Sequence, residues 1–273
     1  MNLLNKKKWN KWTDRCLNLL FYLALLSLCW LLLQVTTFSS FRVPTDSMYP
    51  TLLHGDYIIV NKWSFGARIF NIFDALNHKP LSIKRLPGVR KIKRNDVLVF
   101  NFPYGRNKYE IHFDVMQYYV KRCIGLPGDT VKIKLPPSPK QDSLSFSFNK
   151  PYFQLSNWTP QDFGPLYIPR KGDNIPLDSI HLYQYGSIIE WETGNKFIFR
   201  KNHFFIGNQM VTSYQFQNNY YFMMGDNANH SYDSRYWGLV PEKFIVGVAQ
   251  WIWFSKDRLT DKIRWNRLLH RIG

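Results

Sequence analysis

Pro44-Thr45-Asp46-Ser47-Met48-Tyr49-Pro50-Thr51-Leu52 sets a serine between an aspartate and a methionine, a few residues past the longest apolar run in the chain. A loop serine alone carries no chemistry, because a hydroxyl is a poor nucleophile until a base takes its proton. Its position in the chain gives it weight. No charged residue occurs from 16 to 41, and the flanking charges are Arg15 and Arg42. Residues 17–35 are apolar apart from Asn18, Ser27 and Gln34. At about 1.5 Å per residue, a helix of this length comes close to crossing a bilayer core of about 30 Å. Ser47 follows Arg42 by five residues. An extended chain therefore holds it within about 20 Å of the end of the run.

Ahead of the run, residues 1–15 carry Lys6, Lys7, Lys8, Lys11 and Arg15 against Asp14. Basic residues favour the cytoplasmic side, so the N-terminus is expected in the cytoplasm and the rest of the chain beyond the inner membrane. A cleaved secretory leader has a shorter apolar region followed by small residues. Here Val35-Thr36-Thr37-Phe38 follows, and residues 16–38 are expected to form one uncleaved transmembrane helix.

A net charge of +17 raises the question of nucleic acid, but its placement argues against it. Residues 1–15, 62–94 and 255–273 carry +4, +8 and +4, which leaves the remainder nearly neutral. Two of these blocks flank expected membrane contacts, where each Lys or Arg gains about 1 kcal/mol beside anionic lipid. Membrane phospholipid is the expected partner, and nucleic acid is not. Aromatic residues at 17% supply ample core material, which excludes wholesale disorder. The three cysteines, Cys16, Cys29 and Cys123, show no metal-ligand or disulfide spacing, and the seven histidines are scattered. No metal and no cofactor is expected.

Beyond Ser47 the patterns are those of strands and turns. His54-Gly55-Asp56-Tyr57-Ile58-Ile59-Val60-Asn61 and Arg94-Asn95-Asp96-Val97-Leu98-Val99-Phe100 each read as a turn entering a strand. Residues 62–93 between them form a basic excursion with a short helix. Residues 118–124 and 244–254 read as further strands. From 130 to 221 the chain shows short segments punctuated by Pro136, Pro137, Pro139, Pro160, Pro165, Pro169 and Gly172. The expected fold is mainly β: an antiparallel, barrel-like catalytic domain over 39–129 and 222–254, with a smaller β domain inserted at 130–221. Leu259, Ile263, Leu268, Leu269 and Ile272 share one helical face ringed by Arg258, Lys262, Arg264, Arg267 and Arg271. That pattern predicts a basic amphipathic helix over 255–273, lying on the membrane.

Two later stretches matter for Ser47. In Tyr119-Val120-Lys121-Arg122-Cys123-Ile124-Gly125-Leu126-Pro127-Gly128-Asp129, strand alternation puts Lys121 on one face with Tyr119 and Cys123, and Arg122 on the other. A buried lysine loses its charge more readily, because desolvation disfavours the ammonium, and it can then act as a base. The other stretch is Gly225-Asp226-Asn227-Ala228-Asn229-His230-Ser231-Tyr232-Asp233-Ser234-Arg235.

The three stretches in this order resemble the bacterial type I signal peptidases, membrane-bound serine endopeptidases with a Ser–Lys dyad; the resemblance runs from about 41 to 253. It implies Ser47 as nucleophile and Lys121 as general base. Thr45 and the Ser47 N–H are implied to form the oxyanion hole. Ser231 is implied to orient the lysine, with Asp226, Asp233, Arg122 and Arg235 supporting the site. Val43, Pro44, Met48, Leu52, Tyr119 and Val120 are implied to line the substrate pockets, and the implied substrates are signal peptides of exported preproteins, cut after small residues. A monomer is expected. Ala228 and Asn229 stand where the family often has Arg and Asp, His230 is atypical, and Asn95 stands where Gly is usual. The rival readings are another Ser–Lys peptidase, of the conjugation-processing or self-cleaving repressor kind, and a non-catalytic membrane-anchored β module. The apolar run speaks against a repressor.

Overall fold

An apolar helix with no protein packed against it keeps its side chains exposed, and the N-terminal helix does so. The computed structural model describes residues 3–77, 81–104, 110–136 and 158–273. Helix α1 (Leu3–Thr36) is unbroken, and its stretch Lys11–Gln34 has no burial inside the protein. Its length and its apolar surface all round suit a lipid-facing span. The Thr36 and Thr37 hydroxyls turn back onto the carbonyls of Leu32 and Leu33. Strand β1 (Phe38–Arg42) begins after a single residue, so Phe38 belongs to the sheet.

The strands that follow are β2 (Asp56–Asn61), β3 (Arg68–Ile69), β4 (Lys84–Arg85), β5 (Val97–Asn101), β6 (Tyr118–Gly125), β7 (Thr130–Lys134) and β8 (Asp162–Tyr167). The short helix α2 (Ile72–Leu76) lies in the excursion between β3 and β4. Next come β9 (Asn174–Pro176), helix α3 (Ser179–Thr193), β10 (Phe197–Arg200), β11 (His203–Ile206), β12 (Gln209–Val211) and β13 (Ser213–Gln215). Strand β14 (Tyr220–Met224), helix α4 (Ser234–Trp237), β15 (Val240–Pro241), β16 (Ile245–Ser255) and β17 (His270–Arg271) complete the order. The main sheet is antiparallel with the order β1-β2-β16-β5-β6-β14-β15, and β17 pairs with β16. It stays open as a half-barrel, with β1 at one edge. The long β16, inserted between β2 and β5, holds the two halves of the sheet together.

Strand β5 is buried at every residue, so both sheet faces carry a core. Leu98 and Phe100 face the larger core and Val97 and Val99 the smaller. The larger core runs on into 130–221 through Val131, Phe163, Leu166, Tyr185, Ile189 and Phe216. Parts of the expected insertion, 137–157, and of the basic block, 78–80, lie outside the described residues. Within the insertion the expected short strands form as β7 to β13, and α3 is an unexpected helix among them. Its Ile, Tyr, Trp and Thr residues favour strands by propensity. Burial of Tyr185, Ile188 and Ile189 at helical spacing overrides that preference. Asp178 caps the first turn by accepting from the His181 N–H at 2.7 Å. Gly194 closes the last turn with φ +68°, a conformation that glycine adopts without strain.

The expected amphipathic helix over 255–273 does not form. Lys256 and Ile263 form an isolated bridge, one 3₁₀ turn covers Trp265–Arg267, and β17 pairs with β16. Asp261 and Leu269 take positive φ, which breaks any helix. The arginines are engaged with the protein. Arg267 makes a two-point ion pair with Asp56, which is fully buried, and donates to the Thr51 carbonyl at 2.9 Å. Arg264 pairs with Asp257 and donates to the His54 carbonyl at 3.0 Å. This C-terminal strap thus grips the loop between β1 and β2, the loop that carries Ser47.

Removing Arg267 leaves the Asp56 carboxylate buried with, among the described residues, the Ser255 hydroxyl and the Leu53 N–H to satisfy it. Arg267→Ala should therefore lower unfolding free energy by about 3 kcal/mol, read as a fall in the urea midpoint. A midpoint within error of the parent would show that the strap does not stabilise the loop.

Candidate active site

A lysine and a serine, 74 residues apart in the chain, meet where the β1–β2 loop crosses β6. Lys121 Nζ lies 2.5 Å from Ser47 Oγ. Both residues are buried, Lys121 to 3% exposure and Ser47 to 8%. Alternation along β6 explains the lysine: Lys121, Cys123 and Gly125 face inward, and Arg122 and Ile124 are less buried. Lys121 pairs in register with Leu98, and its ammonium lies 5.8 Å from the Tyr119 ring centroid. Burial pushes the Lys121 pKa down from 10.5 to about 8, against the opposing pull of Asp233 and then Asp226. A lysine with so low a pKa can accept a proton more readily than a free one.

The serine is held by its loop. Met48 and Leu52 are fully buried in the smaller core together with Val43, Ile58, Val60 and Ile252. Each such side chain contributes about 2 kcal/mol by leaving water. Within the loop the Leu52 N–H donates to the Met48 carbonyl, and the Tyr49 N–H to that of Asp46. The Asp46 carboxylate accepts the His54 N–H at 3.2 Å. Thr45 Oγ1 lies 3.3 Å from Ser47 Oγ.

The 225–235 stretch closes the site from the other side. A Cβ on Gly225 would sit 2.2 Å from Ser231 Oγ and 2.4 Å from the Ser47 carbonyl oxygen, so only glycine fits there. Asp226 and Arg122 form a two-point ion pair at 2.7 Å. Arg122 also donates to the carbonyls of Asn95 and Gly273 and to Thr51 Oγ1. Asp233 and Arg235 form a second pair, almost fully buried, and Asp233 caps α4 and accepts the Gly225 N–H. Arg235 further holds the carbonyls of Pro160 and Ala228.

The residues singled out in the sequence fall into three groups. Ser47, Lys121 and Thr45 come into mutual reach. Asp226, Arg122, Asp233 and Arg235 form two clamps around them. Ser231 is buried beside Gly225, and its hydroxyl has no hydrogen-bond partner among the described residues. Of the pocket residues, Pro44 is exposed and Tyr119 and Val120 are half-buried. Val43, Met48 and Leu52 are enclosed by the smaller core and offer no free surface, because the loop turns them inward. Asn95 has φ +71°, a conformation that Gly or Asn tolerates, so it can stand where Gly is usual. Sequence reasoning missed the strap and Asn227. The Asn227 backbone N–H donates to the Ser47 carbonyl at 3.1 Å and its side-chain amide to the Asp46 carbonyl at 3.2 Å. Asn227 lies within the 225–235 stretch, but an asparagine in a turn carries no signal of what it binds. Among the described residues no cluster could hold a metal ion.

The sequence pattern of the family described as signal peptidase, peptidase S26, matches residues 15–141 and 172–254. Signal peptidase I of Buchnera aphidicola subsp. Acyrthosiphon pisum is 30% identical over 260 residues, covering 86% of this chain and 74% of that protein. Signal peptidase I of Pseudomonas fluorescens is 32% identical over 226 residues, covering 79% and 64%. That of Haemophilus influenzae is 28% identical over 248 residues, covering 81% and 64%.

The depressed Lys121 pKa has a stability signature. Between about 8 and 10.5 the unfolded chain holds a proton on this lysine that the folded site rejects, so stability rises with pH across that window. Below about 8 the penalty is fully present. Lys121→Met removes it, and this variant should be more stable than the parent at pH 7 by a few kcal/mol, with the gain fading toward pH 10.5. Urea unfolding at several pH values measures this, and a variant less stable at pH 7 would contradict it.

Proposed function

Because this chain belongs to the signal peptidase family, peptidase S26, we propose that Ser47 and Lys121 carry its reaction. The protein is a serine peptidase that removes signal peptides from preproteins. The observation that carries the residue assignment is the 2.5 Å approach of Lys121 Nζ to Ser47 Oγ in a dry site.

Neutral Lys121 takes the hydroxyl proton as Ser47 Oγ attacks the scissile carbonyl carbon. The resulting oxyanion is stabilised by the Ser47 N–H and the Thr45 hydroxyl. Collapse of the tetrahedral species breaks the C–N bond, and protonated Lys121 gives its proton to the departing amine of the mature protein. Water then attacks the acyl-enzyme with Lys121 again as base, and the signal peptide leaves with a free carboxylate. The Asp226–Arg122 and Asp233–Arg235 pairs act by holding the walls of the site, with Ser231 beside them orienting Lys121.

The substrate joins the free edge of β1 as an extended strand, through backbone hydrogen bonds. The edge position of β1 and the surfaces left on Pro44, Tyr119 and Val120 support this. Val43, Met48 and Leu52 lie beneath in the smaller core and do not meet the substrate. We take 39–129 with 222–254 as the catalytic unit and 130–221 as an insertion that shares its larger core.

The family is membrane-associated, and α1 is apolar enough to span a bilayer. We assign α1 as the single anchor in the cytoplasmic membrane, with the N-terminus in the cytoplasm and the sheet outside. Lipid also meets the excursion after β2: Lys62 Nζ bonds the Gln34 carbonyl at the end of α1, and the neighbouring Trp63 is exposed. Tryptophan favours that interfacial depth. The protein acts as a monomer.

Ser47→Ala should abolish preprotein cleavage and leave the fold unchanged. Lys121→Arg should be equally inactive, because a guanidinium stays charged and cannot accept a proton. For the parent, kcat/KM should rise with pH along a limb near 8, as Lys121 loses its proton. Cleavage of a preprotein in detergent, with N-terminal sequencing of the product, measures all three. Substantial turnover by either variant would place the nucleophile or base elsewhere.

A further inference from the structure

The Asp46–Ser47 peptide is the part of the nucleophile loop whose orientation matters most, and one side chain outside the loop holds it. In a trans peptide the carbonyl and the following N–H point in opposite directions. The Asp46 carbonyl accepts the Asn227 side-chain amide at 3.2 Å. The Ser47 N–H of the same peptide is therefore aimed away from Asn227. The next carbonyl, that of Ser47, accepts the Asn227 backbone N–H at 3.1 Å. Two successive carbonyls of the loop are thus fixed by one residue. Among the described residues, no backbone hydrogen bond of this loop uses the Ser47 N–H as donor. The amide that faces away from Asn227 is left to serve a developing oxyanion.

From this geometry we propose that Asn227 is a positioning residue that fixes the direction of the Ser47 N–H in the oxyanion hole. The inference rests on Ser47 being the nucleophile. Asn227 itself does not touch the reacting atoms. Its loop is rigid on its own account: Arg122 clamps Asp226 on one side, and Arg235 holds the Ala228 carbonyl on the other. Gly225 allows the loop to approach the Ser47 carbonyl closely. Asn227 thereby transfers the rigidity of β6 and α4 to one peptide plane. A plane free to rock keeps the serine and its base in contact but points the donor away from the transition state, and small errors of this kind are costly in rate.

The test uses the full-length protein in detergent with a preprotein substrate. Asn227→Ala should lower kcat by about ten- to a hundredfold with KM within about twofold. The acid limb of its pH profile should stay where the parent has it, since Lys121 keeps its surroundings. A peptide boronate, which forms a tetrahedral adduct on Ser47, should bind more weakly by the same factor as kcat/KM falls. Asn227→Asp keeps the shape but has no side-chain N–H to donate, and it should lose kcat as Asn227→Ala does. Parental kcat in either variant, or a loss confined to KM, would overturn the proposal. So would unchanged boronate affinity beside a reduced kcat. Should Ser47→Ala retain activity, the nucleophile assignment falls together with this inference. Should Ser47→Ala be inactive and Asn227→Ala fully active, this inference alone falls.

Discussion

A lysine works as a base near neutral pH only while it is kept out of water, and Lys121, the proposed base, is held there by the main sheet. Its strand pairs with β5, which is buried at every residue, so no solvent reaches the base of its side chain. Asp226 and Asp233 sit close enough to favour the charged form. Each is matched by its own arginine, Arg122 and Arg235. The pairing limits how far the acids restore the charge and leaves desolvation in control. The arrangement carries a cost, since a buried amine that rejects its proton destabilises the fold at neutral pH.

The proposed nucleophile, Ser47, has the opposite requirement. It must lie on a loop to be reached by a chain, yet it must not move. Three separate elements supply the stiffness. The smaller core takes Met48 and Leu52 from below. The 225–228 segment grips the carbonyls of Asp46 and Ser47. The C-terminal strap grips Thr51 and His54 through Arg267 and Arg264. A loop pinned at its start, middle and end has lost most of the freedom that loops usually keep.

The main sheet, the apolar N-terminal helix and the meeting of Ser47 with Lys121 were legible in the sequence, because hydrophobic periodicity and three ordered stretches carry them. The rest escaped for identifiable reasons. Helix α3 is built from Ile, Tyr and Trp, which speak for strands, and its signals were the caps Asp178 and Gly194. The C-terminal stretch has a true amphipathic pattern, but Arg267 found a buried carboxylate in Asp56, and that ion pair outweighed local helix propensity. No window over 255–273 contains Asp56, so no local pattern could reveal the pairing. Val43, Met48 and Leu52 were expected at the substrate's side, and the turn of the loop sent them into the core. The reach of Asn227 to a carbonyl 181 residues away belongs to the same class of contact.

The junction at Thr37 has a mechanical meaning. Helix α1 passes into β1 with one residue between them, and Lys62 ties back to the junction, its backbone N–H donating to the Thr37 carbonyl and its side chain to the Gln34 carbonyl. No slack tether separates the anchor from the sheet. The height of Ser47 above the bilayer is then a built dimension, like the gap of a caliper. With the proposed anchoring, a substrate whose own apolar segment lies in the same bilayer is presented at a level set by lipid thickness. On that reading the bond that is cut is chosen in part by length, before any side chain is recognised.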